Sequence, residues 1–193
     1  MVAREPRQER AELRRDALLA AAVEVIAERG PGAFSARAVA AQSGLPLAAV
    51  SYYFPQLDDL FGAAVVTVVD GWLASGQRGA TVEMRSRNGV AAATVAITAA
   101  LLPGGSPATI RIRYEHLLAA AGNPVAATAM ARLRPRLAEL IGEILDSTGV
   151  SASISPDAII SLVDGAAVGA VSEGEAAPRS RVERVLLEVL GRT

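Results

Sequence analysis

Between Ser35 and Leu60 the chain reads SARAVAAQSGLPLAAVSYYFPQLDDL, and this stretch limits what its surroundings can become. Ser35 is a good N-cap, because its hydroxyl can accept from an orphan backbone N–H at the start of a helix over Ala36–Gln42. Gly44 can adopt positive φ just after that helix and turn the chain sharply. Pro46 suits the first turn of the next helix, where its missing N–H costs nothing. Two short helices joined by a glycine turn make a helix-turn-helix, the layout whose second helix enters the DNA major groove. On a helical wheel Val50 and Phe54 share one face of that second helix. Ala48, Ala49 and Tyr52 point the other way, with Leu47, Ser51 and Tyr53 on the flanks. So short a helix is stable only when packed. Val39, Ala40 and Leu45 must cover its apolar face, and the opposite face stays free for use.

The flanking sequence supplies what this pair of helices needs. Arg10 to Arg29 has the spacing of an amphipathic helix, with Leu18, Ala21, Ala22, Val25 and Ile26 towards a core. Gly30-Pro31-Gly32 stops it, and Phe34 leads into the helix pair as an apolar plug. The result is a tri-helical head. Residues 1–9 are polar and predicted to be irregular. Arg4 and Arg7 there can reach DNA phosphate or the minor groove, or form a solvated tail balanced by Glu5 and Glu9. After Pro55-Gln56, Asp58-Asp59 suit the positive end of a fourth helix. That helix is predicted to run to about Ser75, apolar on nearly every side through Val65–Val69, with Leu60 and Phe61 against the head and Trp72 deep in the body. Arg78 to Asn88 reads as a loop.

Beyond it the punctuation is legible. Gly89–Leu102 ends at Pro103-Gly104-Gly105. Ser106 and Pro107 open a helix that closes at Gly122. Pro124–Thr148 is a longer one, predicted to bend or break at Pro135. Ser155 caps Pro156–Ser172, and Pro178–Leu190 is the last. No stretch alternates like a strand. The expectation is an all-α chain of about nine helices, with a helix-turn-helix domain over 1–56 and a helical body over 57–193.

Composition removes several function classes. With one histidine and no cysteine, the chain has no thiol nucleophile and no recognisable metal-ligand spacing. Gly30 and Gly32 follow a helix rather than a strand, so they form no dinucleotide-binding turn. An enzyme is therefore not expected, and no cofactor or metal is implied. Net charge is −1, so the molecule as a whole is not a basic nucleic-acid binder. All the basic residues are arginine, which biased codon use in a GC-rich genome explains. Val90–Leu102 falls short of the ~18–20 apolar residues needed to span a bilayer. The expectation is a soluble, cytoplasmic protein without a membrane partner.

The run G-L-P-L-A-A-V-S-Y-Y-F-P-Q-L-D-D-L resembles the tetracycline-repressor (TetR) family of bacterial transcription regulators. So do Arg15, Leu18-Leu19, Ala21-Ala22, Gly30 and Ser35-x-Arg37-x-Val39-Ala40 before it. The resemblance implies a homodimer bound to a palindromic double-stranded operator, and a body that binds a small molecule. Carried onto this chain, the DNA-binding residues are Ser35, Arg37, Pro46, Leu47, Ala48, Ala49, Ser51, Tyr52 and Tyr53. Two departures stand out: Ser51 occupies a position where the family often has tyrosine, and Leu57 one where lysine commonly meets phosphate. No residue between Ala38 and Leu57 is charged. Specificity would then lean on methyl contacts and DNA shape, unless Tyr52 and Tyr53 pack on the fourth helix instead.

Trp72, Leu101, Tyr114, His116, Leu117 and Met130 lie on helices expected to surround a ligand cavity, suited to a small, largely apolar molecule. The same residues could be ordinary core, and a lone histidine is more often satisfied or on the surface than a sensor. Arg111, Arg113 and Glu115 read as a solvated face. For dimerisation the stripes are Ile159, Ile160, Val163, Ala167 and Val171 on one helix and Val182, Val185, Leu186 and Val189 on the next. Either these meet a second copy in a four-helix bundle, or they face the chain's own core. The function implied is a ligand-released repressor. The alternative is a helical dimerisation or adaptor protein whose uncharged recognition helix has lost DNA binding.

Overall fold

A computed structural model of the chain describes residues 5–84, 89–104 and 106–192. Among them are nine α-helices and no strand: α1 Glu5–Arg29, α2 Ala36–Ser43, α3 Leu47–Tyr53, α4 Leu57–Met84, α5 Val90–Leu101, α6 Pro107–Ala120, α7 Pro124–Thr148, α8 Pro156–Ser172 and α9 Pro178–Leu190. A 3-10 turn over Pro31–Ala33 links α1 to α2. The chain divides into two compact units, one made of residues 1–68 with 115–129, the other of 69–114 with 130–193. The first unit thus takes in the end of α6 and the start of α7.

In the first unit α1 buries Leu18, Ala22, Val25 and Ile26, and α2 buries Val39 and Ala40. Polar contacts fix the pairing of α1 with α2: Gln42 donates to Glu24 at 2.7 Å and accepts from Arg29 at 3.3 Å. The rings of Phe34 and Phe61 meet at 5.2 Å between centroids, so the plug before α2 packs on the start of α4. Asn123 caps α7, its Oδ1 accepting from the N–H groups of Val125 and Ala126, and its Nδ2 donates to the Asp58 carbonyl at 2.9 Å. One buried side chain therefore ties the start of α7 to the first turn of α4.

In the second unit α5 is the central helix, enclosed over Ala92, Ala93, Ala96, Ile97, Ala100 and Leu101. It packs against α8 and α9. Its approach to α4 depends on small residues, since a Cβ at Gly76 would lie 2.3 Å from the Ala100 carbonyl oxygen. Ser155 caps α8 by accepting from Ala158.

Several expectations change. The segment Glu5–Glu9 is helical, being the first turns of α1; Arg4 and the side chain of Arg7 lie outside the described residues. α4 continues to Met84, so Arg78–Met84 is helix and not loop, while residues 85–88, and Gly105 after α5, lie outside the described residues. α7 is unbroken through Pro135. Leu133 and Leu137 are buried on either side of it, and Arg134 is anchored on α8 through Asp157 and Ser161. Packing on both sides offsets the ~3 kcal/mol that an interior proline costs.

Candidate nucleic-acid interface and body cavity

The helix-turn-helix forms as its residues dictate. Ser35 Oγ accepts from Ala38 N at 3.1 Å, capping α2, and Gly44 closes it at φ 68°. Pro46 stands one residue before α3, as its N-cap rather than within its first turn, and its carbonyl accepts from Ala49. Val50 and Phe54 are buried, with the Arg15 guanidinium 5.0 Å above the Phe54 ring. α3 is thereby held on one side, and the other side is open. Leu47 is 46% and Tyr52 76% exposed, while Ser35, Arg37, Pro46, Ala48 and Ser51 are also exposed and Ala49 and Tyr53 half-buried. The Tyr52 and Tyr53 rings meet edge to face at 4.9 Å.

All nine sequence-derived residues thus lie on or beside α2 and α3. The structure adds two that sequence reasoning missed. Arg10 and Arg14, one helical turn apart on α1, line a surface cleft of about 670 Å³ together with Pro46, Ala48, Ala49, Tyr52 and Tyr53. The charge absent from α3 is supplied by the neighbouring helix. Their i, i+4 spacing was visible, but the face they border was not. Arginines can neutralise phosphates, hydroxyls can donate to phosphate oxygens, and the alanines permit close approach to base edges.

In the second unit a cavity of about 270 Å³ is bordered by Trp72, Gly76 and Gly79 of α4, Ala99 and Ala100 of α5, Arg113 of α6 and Arg179 of α9. Of the six ligand candidates it brings in only Trp72, half-buried and not deep in the body. The other five do not line it: Leu101 and His116 are buried, and Tyr114, Leu117 and Met130 half-buried. Arg113 is not on a solvated face. It is 8% exposed, with its guanidinium carbon 4.5 Å from the Trp72 ring centroid. Burial pushes its pKa below the usual arginine value, against the opposing influence of Tyr114 and Asp164. Tyr114 donates to Asp164 Oδ1 at 3.0 Å; burial raises both groups' pKa.

The dimer stripes are also redistributed. Ile159, Ile160, Val163, Ala167, Val182 and Leu186 are buried within the single chain, where α8 packs on α9. Their spacing serves the chain's own core. The exposed large apolar side chains of these two helices are Val168 and Leu187, at 46% and 45%, while Val171, Val185 and Val189 are half-buried. Among the described residues no group of three or more His, Asp or Glu side chains could hold a metal, and no helix is long and apolar enough to cross a membrane.

A helix-turn-helix head joined to a helical body defines a class of DNA-binding regulator. Comparison specifies it. Residues 18–64 match the family described as bacterial regulatory proteins, tetR family, and residues 85–192 match the tetracyclin repressor-like C-terminal domain. The chain belongs to the TetR family of transcriptional regulators, which are not enzymes. It is similar in structure to a transcriptional regulator from Rhodococcus sp. Rha1, with 25% identity, TM-score 0.69, and coverage of 92% of this chain and 94% of that one. The multidrug binding protein EbrR complexed with proflavin shares 23% identity at TM-score 0.68, over 91% of this chain and 99% of that one. A TetR-family member from Streptomyces coelicolor A3 shares 22% identity at TM-score 0.64, over 92% and 98% respectively. No curated protein matches the chain.

Proposed function

We propose that the protein is a dimeric repressor that binds a palindromic operator through α3 and leaves it when the body takes up a small molecule. The observation that carries the reading is the open face of α3, where Tyr52, Tyr53, Ala48 and Ala49 share one cleft with Arg10 and Arg14. Phosphate contacts from α1 would set the register, and small apolar contacts from α3, with DNA shape, would select the sequence. Two copies would hold their α3 helices about one DNA turn apart, ~34–36 Å. Such a regulator works in the cytoplasm, with the DNA.

A ligand-responsive body is supported by the fold shared with proflavin-bound EbrR. The ligand acts only through a difference in affinity between two body conformations. α4 leads from the head into the second unit without interruption, and Asn123 ties α7 to the first turn of α4. A change at the start of α7 is therefore felt in the first turn of α4.

The test is a titration of the protein into a labelled duplex from the DNA beside its own gene, with a scrambled duplex as control. The expected outcome is sequence-selective binding of two subunits per site. A folded dimer that binds neither duplex at low salt would sink the regulator reading in favour of an adaptor.

A further inference from the structure

The body cavity holds a cation in an environment that ordinarily excludes one. Arg113 is more than nine-tenths buried, and its Nε donates to no partner among the described residues. A buried, unpaired donor on a charged group is costly. Asp164, the carboxylate whose field favours the Arg113 charge, accepts from Tyr114 instead. Trp72 covers the guanidinium face with its ring, which leaves the donor-bearing edge as the part suited to an anion.

The remaining wall has the same character. Arg179 lines the cavity too, with Nη1 donating to the carbonyls of Leu102 and Pro103 at 2.9 and 3.1 Å. Those bonds hold its position at the C-terminal end of α5. Apart from Trp72, the other side chains that line the cavity, on α4, α5 and the turn after α5, are small or apolar, with the Ser75 hydroxyl as their one polar group. At about 270 Å³ the space is below the ~300–1,000 Å³ of sites for drug-sized molecules.

We propose that this cavity binds a small organic acid, its carboxylate on Arg113 and Arg179 and its apolar part against Trp72 and the α4–α5 glycines and alanines. This rests on the proposed ligand-released function and gives that ligand its chemical class: a monoanion, not a neutral apolar molecule.

Trp72 is the sole tryptophan, so intrinsic fluorescence reads this site. The experiment titrates the full-length protein with hexanoate and benzoate, then with hexanamide, benzamide and benzylamine at constant ionic strength. The expected result is a saturable change in Trp72 emission with at least one acid. Its amide, of the same shape, should bind about tenfold or more weakly, the usual worth of a charge-assisted hydrogen bond. Arg113→Met, which removes a buried charge at little cost to folding, should lose the acid response by a similar factor with an unchanged helical signal. Arg179→Gln should weaken it, and carries the comparison should Arg113→Met fail to fold. No saturable response to either acid, an equal response to acid and amide, or wild-type affinity in the folded arginine variants would overturn the proposal. DNA binding measured in parallel separates the two readings. Acid binding with operator affinity unchanged would keep this site and remove ligand release from the proposed function.

Discussion

Replacing Asn123 should loosen the tie between α7 and α4 more than its single amide suggests. Asn123 is 7% exposed, and its side chain makes three hydrogen bonds, two that cap α7 and one to the Asp58 carbonyl. Loss of the cap costs about 0.5–2 kcal/mol, and loss of the inter-helix bond a further ~0.5–1.5 kcal/mol. For a chain of this size each kcal/mol is worth about 2–4 °C of Tm. Asn123→Ala should therefore melt about 2–14 °C below wild type by circular dichroism. Asn123→Ser keeps a capping oxygen but cannot reach Asp58, so it should fall between the two. Gly62→Ala offers an independent check, because its new Cβ would lie 2.8 Å from Val125 Cβ and 2.9 Å from Asn123 Oδ1. A melting point for Asn123→Ala within about 1 °C of wild type would refute the reasoning.

Other consequences follow from the same structure. Tyr52→Phe together with Tyr53→Phe should weaken operator binding about tenfold with an unchanged helical signal; unaltered affinity in an electrophoretic shift would return both rings to a packing role. Gly76→Ala should destabilise the body by about 1–3 kcal/mol in urea, because the methyl meets the α5 backbone, and a neutral result would contradict the close α4–α5 approach. Asp164 is held above its ordinary 3.8 chiefly by burial, against the Tyr114 hydrogen bond and the charges of Arg113 and Arg134. The fold therefore keeps a proton that the unfolded chain has lost, so this group's contribution to stability is full in acid and declines as pH rises through its folded value. The stability difference between wild type and Asp164→Asn should shrink along the same path, whereas parallel pH profiles would contradict that.

Much of this was legible because the governing interactions are local. Ser35 and Ser155 cap helices by reaching three residues ahead, Gly44 turns the chain at its own φ, and Val50 and Phe54 are neighbours on one wheel. These rules need only a few residues of sequence. What the sequence hid depends on residues far apart in it. Arg113 lies in R-I-R-Y-E-H, which reads as a solvated face, and its cover is Trp72 on α4, about forty positions earlier. Pro135 reads as a break, but α7 runs through it, with Leu133 and Leu137 buried and Arg134 bonded to Asp157 and Ser161 of α8. α4 looks spent near Ser75, whose glycines weaken a free helix; α5 packs on those same glycines. The α8 and α9 stripes were visible, yet periodicity does not distinguish a chain's own core from a partner's.

The central claim is that α3 and the arginines of α1 make one DNA-binding face. Its most direct measurement is the salt dependence of operator binding, followed by fluorescence anisotropy for wild type and for Arg10→Ala with Arg14→Ala. Selective binding should weaken with salt in the wild type, and the slope of log affinity on log salt should fall by about one for each phosphate-contacting arginine removed. Parallel slopes would place DNA elsewhere than this cleft. No salt-sensitive binding of the wild type to any duplex would contradict the account.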